Sequence, residues 1–286
     1  MTSEPTRPPR RGRRGGGRIA ANIVGVAASV LLIFPVYWMV LTAFKPGDEL
    51  LTYTPHFATL HPTLANFSRA IHAPHFGDAL GNSVLIAFST MIIALVLALL
   101  AAVAIARFRW YGRRAFIFAI LVVQMVPMSA LLIPLYLMLN SIDAVNKLSG
   151  VVLTYLAFVL PFSIWTLRGF VAGVPAELEE AAMVDGCTRL QAFFRIVLPL
   201  VFPGLVATSI YALIQSWNEY IMAYVLLSDQ KKETLPVWLV SFVSAHGVDY
   251  GALMAGATMM ALPVVVFFAI IQRHVASGLT AGAVKG

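Results

Sequence analysis

The residues able to do chemistry are few in this chain of 286, which has 13 Asp and Glu, 6 His and one Cys. Glu219 is the one acid inside an apolar stretch, in the run Trp217-Asn218-Glu219. A carboxylate in such a setting is costly and by default marks function, as an ion carrier or as the lining of a polar path. A second reading stands beside it: hydrogen bonding with Asn218 or Gln215 would hold neighbouring helices together. One acid without a basic partner makes a poor proton relay, which weighs toward the second reading. Gln124, Ser129, Asn218 and Glu219 are the polar residues that would face a central path.

His56, His61, His72 and His75 fall in one connection, 45–81, and His72 and His75 are spaced to share a helical face. A metal would need a third fixed ligand. Asp78 is the only near candidate, so a folded loop is expected there, and no metal. Cys187 has no partner for a disulfide and no ligand-like neighbours, and reads as a small residue in a turn. The five lysines follow Phe44, Asn146, Gln230, Lys231 and Val284, never glycine. A phosphate-binding loop of the GxxxxGK[ST] kind is therefore absent, and ATP hydrolysis by that route with it. No His, Cys and carboxylate cluster suggests an enzyme, so no catalytic residue and no bound cofactor are expected.

The elements that must position these residues follow from composition. The chain is 59% hydrophobic and 12% charged, with mean hydropathy +0.83. Soluble domains average about 45–50% apolar and about 25% charged residues, so the chain belongs to the membrane class. A bilayer core needs roughly 20 apolar residues per helix. Six stretches approach or exceed that length: 19–44, 83–106, 115–138, 150–173, 201–227 and 252–271. They are read as helices, because a helix satisfies its own backbone within lipid. Pro35, Pro127, Pro134, Pro161, Pro203 and Pro263 are expected to kink them. The expected fold is an all-α integral membrane domain over 19–275, with six transmembrane helices.

The first stretch, 19–44, is too long for the h-region of a signal peptide and is read as a retained helix. Orientation follows from Lys and Arg. With the N-terminus inside, the inner segments hold six in 1–18, four in 107–114, three in 168–195 and two in 273–285. The outer segments hold Lys45, Arg69, Lys147, Lys231 and Lys232. Both termini are therefore expected to be cytoplasmic, and the net charge of +7 reads as a topology signal with contact to anionic lipid rather than as nucleic-acid binding. Residues 1–18, rich in Arg, Gly and Pro, are expected to be disordered. The outer connection 228–251 is polar enough to meet a soluble partner.

One inner connection is longer than a turn requires. Over 175–199, Pro175 suits a first helical position, Glu177, Glu179 and Glu180 favour a helix N-terminus, and Gly186 suits the residue just past a helix end. A short helix over 176–185 is expected, with Leu178, Ala181, Ala182 and Asp185 on one shallow face. A second apolar stripe, Leu190, Phe193, Phe194, Val197 and Leu198, predicts a helix along the membrane interface. Pro199 is expected to mark the bend into the fifth span. On pattern alone, a docking platform and an amphipathic connector are equally good readings.

Glu180-Ala181-Ala182, then Asp185-Gly186, then Ile196 and Leu198-Pro199, resemble the EAA loop of bacterial ABC importer permeases. Cys187 stands where alanine is common. The run Trp217-Asn218-Glu219 and the ending 277–286 are similar to maltose-type carbohydrate permeases. The resemblance covers nearly the whole chain apart from the arginine-rich tail. It implies a multi-pass permease subunit of the bacterial inner membrane that moves a di- or oligosaccharide. Its partners would be a second homologous permease, an ATP-binding subunit dimer that carries ATP and Mg, an extracytoplasmic sugar-binding protein and membrane lipid. The resemblance places ATPase coupling on Glu179, Glu180, Ala181, Ala182, Asp185, Gly186, Ile196, Leu198 and Pro199. It gives the tail 276–286 a further ATPase contact through Gly278, Thr280 and Lys285. In such systems the partner permease supplies most sugar contacts. The rival from the residues alone is an ion-coupled secondary transporter with Glu219 as its coupling acid, which would need paired ionisable groups near the midplane.

Overall fold

The computed structural model describes the backbone of residues 14–245 and 247–282. The helices run in the order α1 (Arg14–Phe44), α2 (Gly47–Leu50), α3 (Ala65–His72), α4 (Phe76–Arg107), α5 (Arg113–Gln124), α6 (Leu132–Ser141) and α7 (Leu148–Gly173). They continue with α8 (Ala176–Val184), α9 (Arg189–Ala192), α10 (Leu198–Asn218), α11 (Ile221–Leu226), α12 (Leu235–Leu239) and α13 (Tyr250–Gly282). A two-stranded antiparallel hairpin, Val243–Ser244 with Gly247–Val248, departs from the all-α expectation.

Among the described residues, five helices are long and apolar enough to cross a membrane: 21–44, 76–107, 148–173, 189–218 and 250–272. The expected third span is not one helix. It breaks after Gln124, and its halves, Arg113–Gln124 and Met128–Ser141, meet at 99°. Pro127 explains the break: it offers no amide to the Val123 carbonyl and disfavours helical geometry at Val126. Pro35, Pro161, Pro203 and Pro263 lie inside continuous helices instead. The expected disorder over 1–18 also meets a limit, since α1 begins at Arg14, and residues 1–13 lie outside the described residues.

α4 is the central helix, packing on α7 and α10, while α10 also meets α7 and α13, and α1 lies along α13. Lipid supplies no hydrophobic drive between helices, so close packing must hold them. The buried side of α4 is therefore small: Ala79, Ala87, Ala94, Ala98 and Ala102 are fully covered. A Cβ on Gly204 of α10 would collide with the Phe170 ring of α7, which marks a second close approach. The Trp217 indole donates to the Met260 carbonyl at 3.0 Å and ties α10 to α13. By contrast, the α1 segment from Ile23 to Phe34 is exposed, with Leu31 and Leu32 more than 70% accessible. Two buried clusters result. One is built around Ile86, Tyr155, Trp217 and Trp238, the other around Ile105, Leu167, Val171, Val197 and Val201 near the C-terminal end of α4.

Candidate functional site

The connection 175–199 lies at the end of the bundle where α4 stops. Its first helix, α8, closes in a Schellman turn: the Gly186 amide donates to the Met183 carbonyl at 3.1 Å, and the Cys187 amide to the Ala182 carbonyl at 3.0 Å. Gly186 takes φ +91°, with open space around the position of a Cβ, so the requirement for glycine there is conformational rather than steric. Thr188 and Gln191 then form a capping box. The Thr188 amide donates to Gln191 Oε1 at 2.8 Å, and the Gln191 amide to Thr188 Oγ1 at 3.3 Å. The T-x-x-Q spacing announces this box in the sequence, and it went unread there.

The chain beyond the capping box differs from the expected interfacial helix. α9, a π-helical turn over Phe193–Val197, and α10 form one continuous 30-residue helix, Arg189–Asn218. Pro199 lies within this continuous helix rather than between two separate ones. It has no amide for the Arg195 carbonyl, and the turn before it widens so that the Leu198 amide reaches the Phe193 carbonyl. The apolar stripe is consequently split. Val197 is buried in the second core cluster, whereas Leu190 and Phe194 are exposed.

The resemblance assigned Glu179, Glu180, Ala181, Ala182, Asp185, Gly186, Ile196, Leu198 and Pro199 to coupling, and the structure sorts them. Glu180, Ala181, Asp185 and Gly186 are exposed, as is Pro199; Ala182, Ile196 and Leu198 are half-buried. Glu179 turns inward, and its Oε1 meets Arg107 Nε at 2.6 Å, each side chain 16% exposed. Arg107 also donates from Nη2 to the Val174 carbonyl at 2.9 Å. One arginine at the end of α4 thus holds the base of the loop. The sequence reading counted Arg107 only as a topology charge, because nothing local links it to Glu179.

A cavity of about 250 Å³ opens beside the middle of α7 and the C-terminal end of α10. Gln124, Tyr155, Tyr211, Gln215, Ser216 and Glu219 supply its polar lining. Pro161 frees the carbonyl of Ala157, and both residues also line it. Glu219 sits where the expected fifth span breaks, with extended backbone at φ −70°, ψ 127°. Its carboxylate accepts the Met222 amide at 2.8 Å, the Ala223 amide at 3.1 Å and the Tyr155 hydroxyl at 2.7 Å. It thereby caps the first turn of α11 and binds it to α7. The interhelical bond anticipated for Glu219 therefore exists, with Tyr155 rather than Asn218 or Gln215 as its partner. Of the four residues expected on a central path, Gln124 and Glu219 share this cavity. Asn218 is exposed and donates to the Ile214 carbonyl at 3.1 Å, and Ser129 is exposed on the turn 128–131.

At the other end of the bundle, the histidines of 45–81 serve local structure. His72 ends α3 and its Nδ1 lies 2.8 Å from the Ser68 carbonyl, while His75 takes φ +62° and pairs with Asp78 at 3.2 Å. Among the described residues, no three His, Cys, Asp or Glu side chains come together as a metal site. Asp249 accepts Arg69 at 3.1 Å on both carboxylate oxygens and caps α13 through the Ala252 amide at 3.0 Å. Partial burial pushes the Asp249 carboxyl up, but the Ala252 amide and Arg69 outweigh it and hold the group below the usual carboxylate range. Glu233 is raised by burial, aided by Asp229 and opposed by His75. In the tail, Gly278 and Thr280 fall within the backbone of α13, and Lys285 lies outside the described residues.

The comparisons with known proteins agree with this architecture. The family described as binding-protein-dependent transport system inner membrane component matches residues 94–281. The diacetylchitobiose uptake system permease protein DasC of Streptomyces coelicolor is 43% identical over 270 residues, covering 94% of this chain and 98% of that protein. The trehalose transport system permease protein SugB of Mycobacterium tuberculosis is 36% identical over 259 residues, covering 89% of this chain and 93% of that protein. Among solved structures, a chain of a bacterial ABC transporter that imports alginate superposes with TM-score 0.79 at 23% identity, covering 94% of this chain and 99% of that one, which speaks to the fold. With helices apolar enough for several membrane crossings and a family match over most of its length, the chain belongs to the binding-protein-dependent transport system inner membrane components.

Proposed function

We propose that the chain is one permease subunit of an ATP-driven ABC importer that carries a di- or oligosaccharide across the cell membrane. The observation behind this reading is the loop 175–199: its middle is exposed, and its base is clamped by Arg107. A short helix with a shallow alanine face, closed by a glycine turn and joined to a membrane-length helix, suits a seat in a separate ATPase. Force applied to α8 would pass through Glu179 to α4 and through Thr188 to α10. ATP and Mg would bind that ATPase dimer, since this chain has no phosphate loop of its own. Both termini would be cytoplasmic, with Gly278, Thr280 and Lys285 near the same ATPase. A second permease would close the cavity around Gln124 and Glu219, and an extracytoplasmic binding protein would deliver the sugar. The substrate class rests on the names of the relatives, which include diacetylchitobiose and trehalose systems.

An ion-coupled transporter fits less well. The Glu219 carboxylate is occupied by two backbone amides and a tyrosine hydroxyl, and no basic side chain pairs with it among the described residues. The test is uptake of labelled diacetylchitobiose and trehalose by cells with and without this gene. The expected result is uptake of one glycoside that disappears on deletion, persists when the proton gradient is collapsed with ATP maintained, and stops when ATP is depleted. Uptake that follows the ion gradient instead overturns the assignment.

A further inference from the structure

The strongest charge cluster outside the loop and the central cavity sits at the turn between α4 and α5. Arg109, Arg113 and Arg114 from this turn and Arg168 from α7 line one cavity of about 760 Å³ together with Trp110 and Tyr111. No acidic side chain pairs with any of the four arginines among the described residues. Arg168 Nε is buried and has no hydrogen-bond partner among the described residues. Its guanidinium lies 5.2 Å from the Trp165 ring centroid, which orients it without neutralising it. Arg113 and Arg114 also occupy the first turn of a helix that carries no acid there, where the helix dipole disfavours cations. Four cations, from the α4–α5 turn, the start of α5 and α7, thus share a concavity with no acidic side chain paired to them among the described residues.

The surroundings indicate which anion belongs there. Tyr111 is fully exposed and Trp110 is 41% exposed, as suits aromatic side chains at headgroup level. Further along α5, Phe118, Leu121 and Val122 expose an apolar face. A molecule with a phosphate and acyl chains meets both surfaces, whereas a soluble anion meets only the first. Guanidinium groups match phosphate oxygens in fork geometry. We propose that this cavity binds the headgroup phosphate of an anionic phospholipid, with the acyl chains lying along α5. The proposal needs the membrane placement of the chain but neither its sugar nor its ATPase.

The test uses the full chain in mild detergent, with phosphatidylglycerol or phosphatidylcholine of the same acyl length, read by native mass spectrometry. We expect phosphatidylglycerol to be retained about tenfold better than phosphatidylcholine, as a few basic side chains near a membrane surface provide. Replacing Arg113, Arg114 and Arg168 together by Gln should bring the two lipids close to parity, while Lys231→Gln with Lys232→Gln should leave the preference intact. If the triple variant aggregates on gel filtration, Arg168→Gln alone should still lower the ratio. Parity in the wild type, or an unchanged ratio in the folded variants, overturns the proposal. Displacement of the lipid by inorganic phosphate as readily as by dihexanoyl phosphatidylglycerol also overturns it, in favour of a soluble-anion site. Uptake is not measured, so failure here leaves the transport reading standing, and the reverse holds too.

Discussion

The two ends of the bundle are held by different means. At the end where α3, α12 and the start of α13 meet, side chains bond across long stretches of sequence. Asn66 donates to the carbonyls of Ala43 at 2.8 Å and Lys45 at 2.7 Å, Arg69 grips both Asn66 and Asp249, and the Trp238 indole reaches the Pro74 carbonyl at 2.9 Å. Asn82 donates to the carbonyls of Lys231 and Glu233, and the Asn146 side-chain oxygen accepts the amides of Ser228 and Asp229. At the other end, Val197 packs the close of the loop 175–199 into the core, its polar tie to the rest runs through Arg107, and its remaining polar bonds are local caps and turns. The first end is cross-tied between segments far apart in sequence. The second keeps Glu180, Ala181, Asp185 and Gly186 available to another protein. The proposed coupling role would need that asymmetry, because a loop bonded as heavily as the first end could not move as one body with a partner.

The sharpest way to break this comparison is Gly186→Leu. A non-glycine residue at positive φ costs about 1–2 kcal/mol, and there is no clash to confuse the result. Sugar uptake should fall to background while membrane insertion is normal; Gly186→Asn, which tolerates that conformation, should retain most uptake. Normal uptake with Leu would remove the docking role of the turn. At the opposite end, Asn66→Ala removes the side-chain donor of two carbonyls in a buried site and one of the two partners of Arg69, which keeps Asp249. It should cost about 2–3 kcal/mol in detergent unfolding, with little direct effect on ATPase association. A variant that unfolds normally but loses the ATPase would invert the comparison.

Arg107→Gln should have an intermediate effect. Removing one partner of a largely buried pair costs about 1–3 kcal/mol, felt mainly as faster proteolysis within 175–199. An unchanged digestion pattern would mean that the loop is held by something else. The smallest effect concerns Asp249. Its folded carboxyl lies below the unfolded value, so its contribution is present above about pH 4 and is lost as pH falls through the folded value. Thermal stability of the wild type should drop on that acid limb more steeply than that of Asp249→Asn. The difference should shrink in salt, since both side chains of the Arg69 pair are more than 40% exposed. Equal slopes would show that folding does not lower the Asp249 carboxyl, against both the Ala252 amide and the Arg69 pair as its stabilising partners.

Much of this is legible in the sequence. Hydropathy located the membrane helices, because length and apolarity are properties of a segment by itself. Pro175, Gly186 and the acids between them located α8, because caps and turns are short-range chemistry. The T-x-x-Q box was equally local. The sequence reading predicts kinks at the prolines alike and does not say which becomes a break. Pro127 ends its helix while Pro161, Pro203 and Pro263 do not, since a neighbour in the fold must absorb or refuse each freed carbonyl. Glu219 breaks α10 from α11 without proline or glycine, because its carboxylate found two amides and a tyrosine on another helix.

The sequence by itself determined the membrane class, the approximate helices, the missing phosphate loop and the EAA-like spacing of 180–199, all of which depend on neighbours along the chain. Only the tertiary structure decided that Arg107 clamps Glu179, that Tyr155 meets Glu219, and that Arg168 joins the arginines of the α4–α5 turn. Those partners lie dozens of residues apart, and helix packing alone brings them within reach.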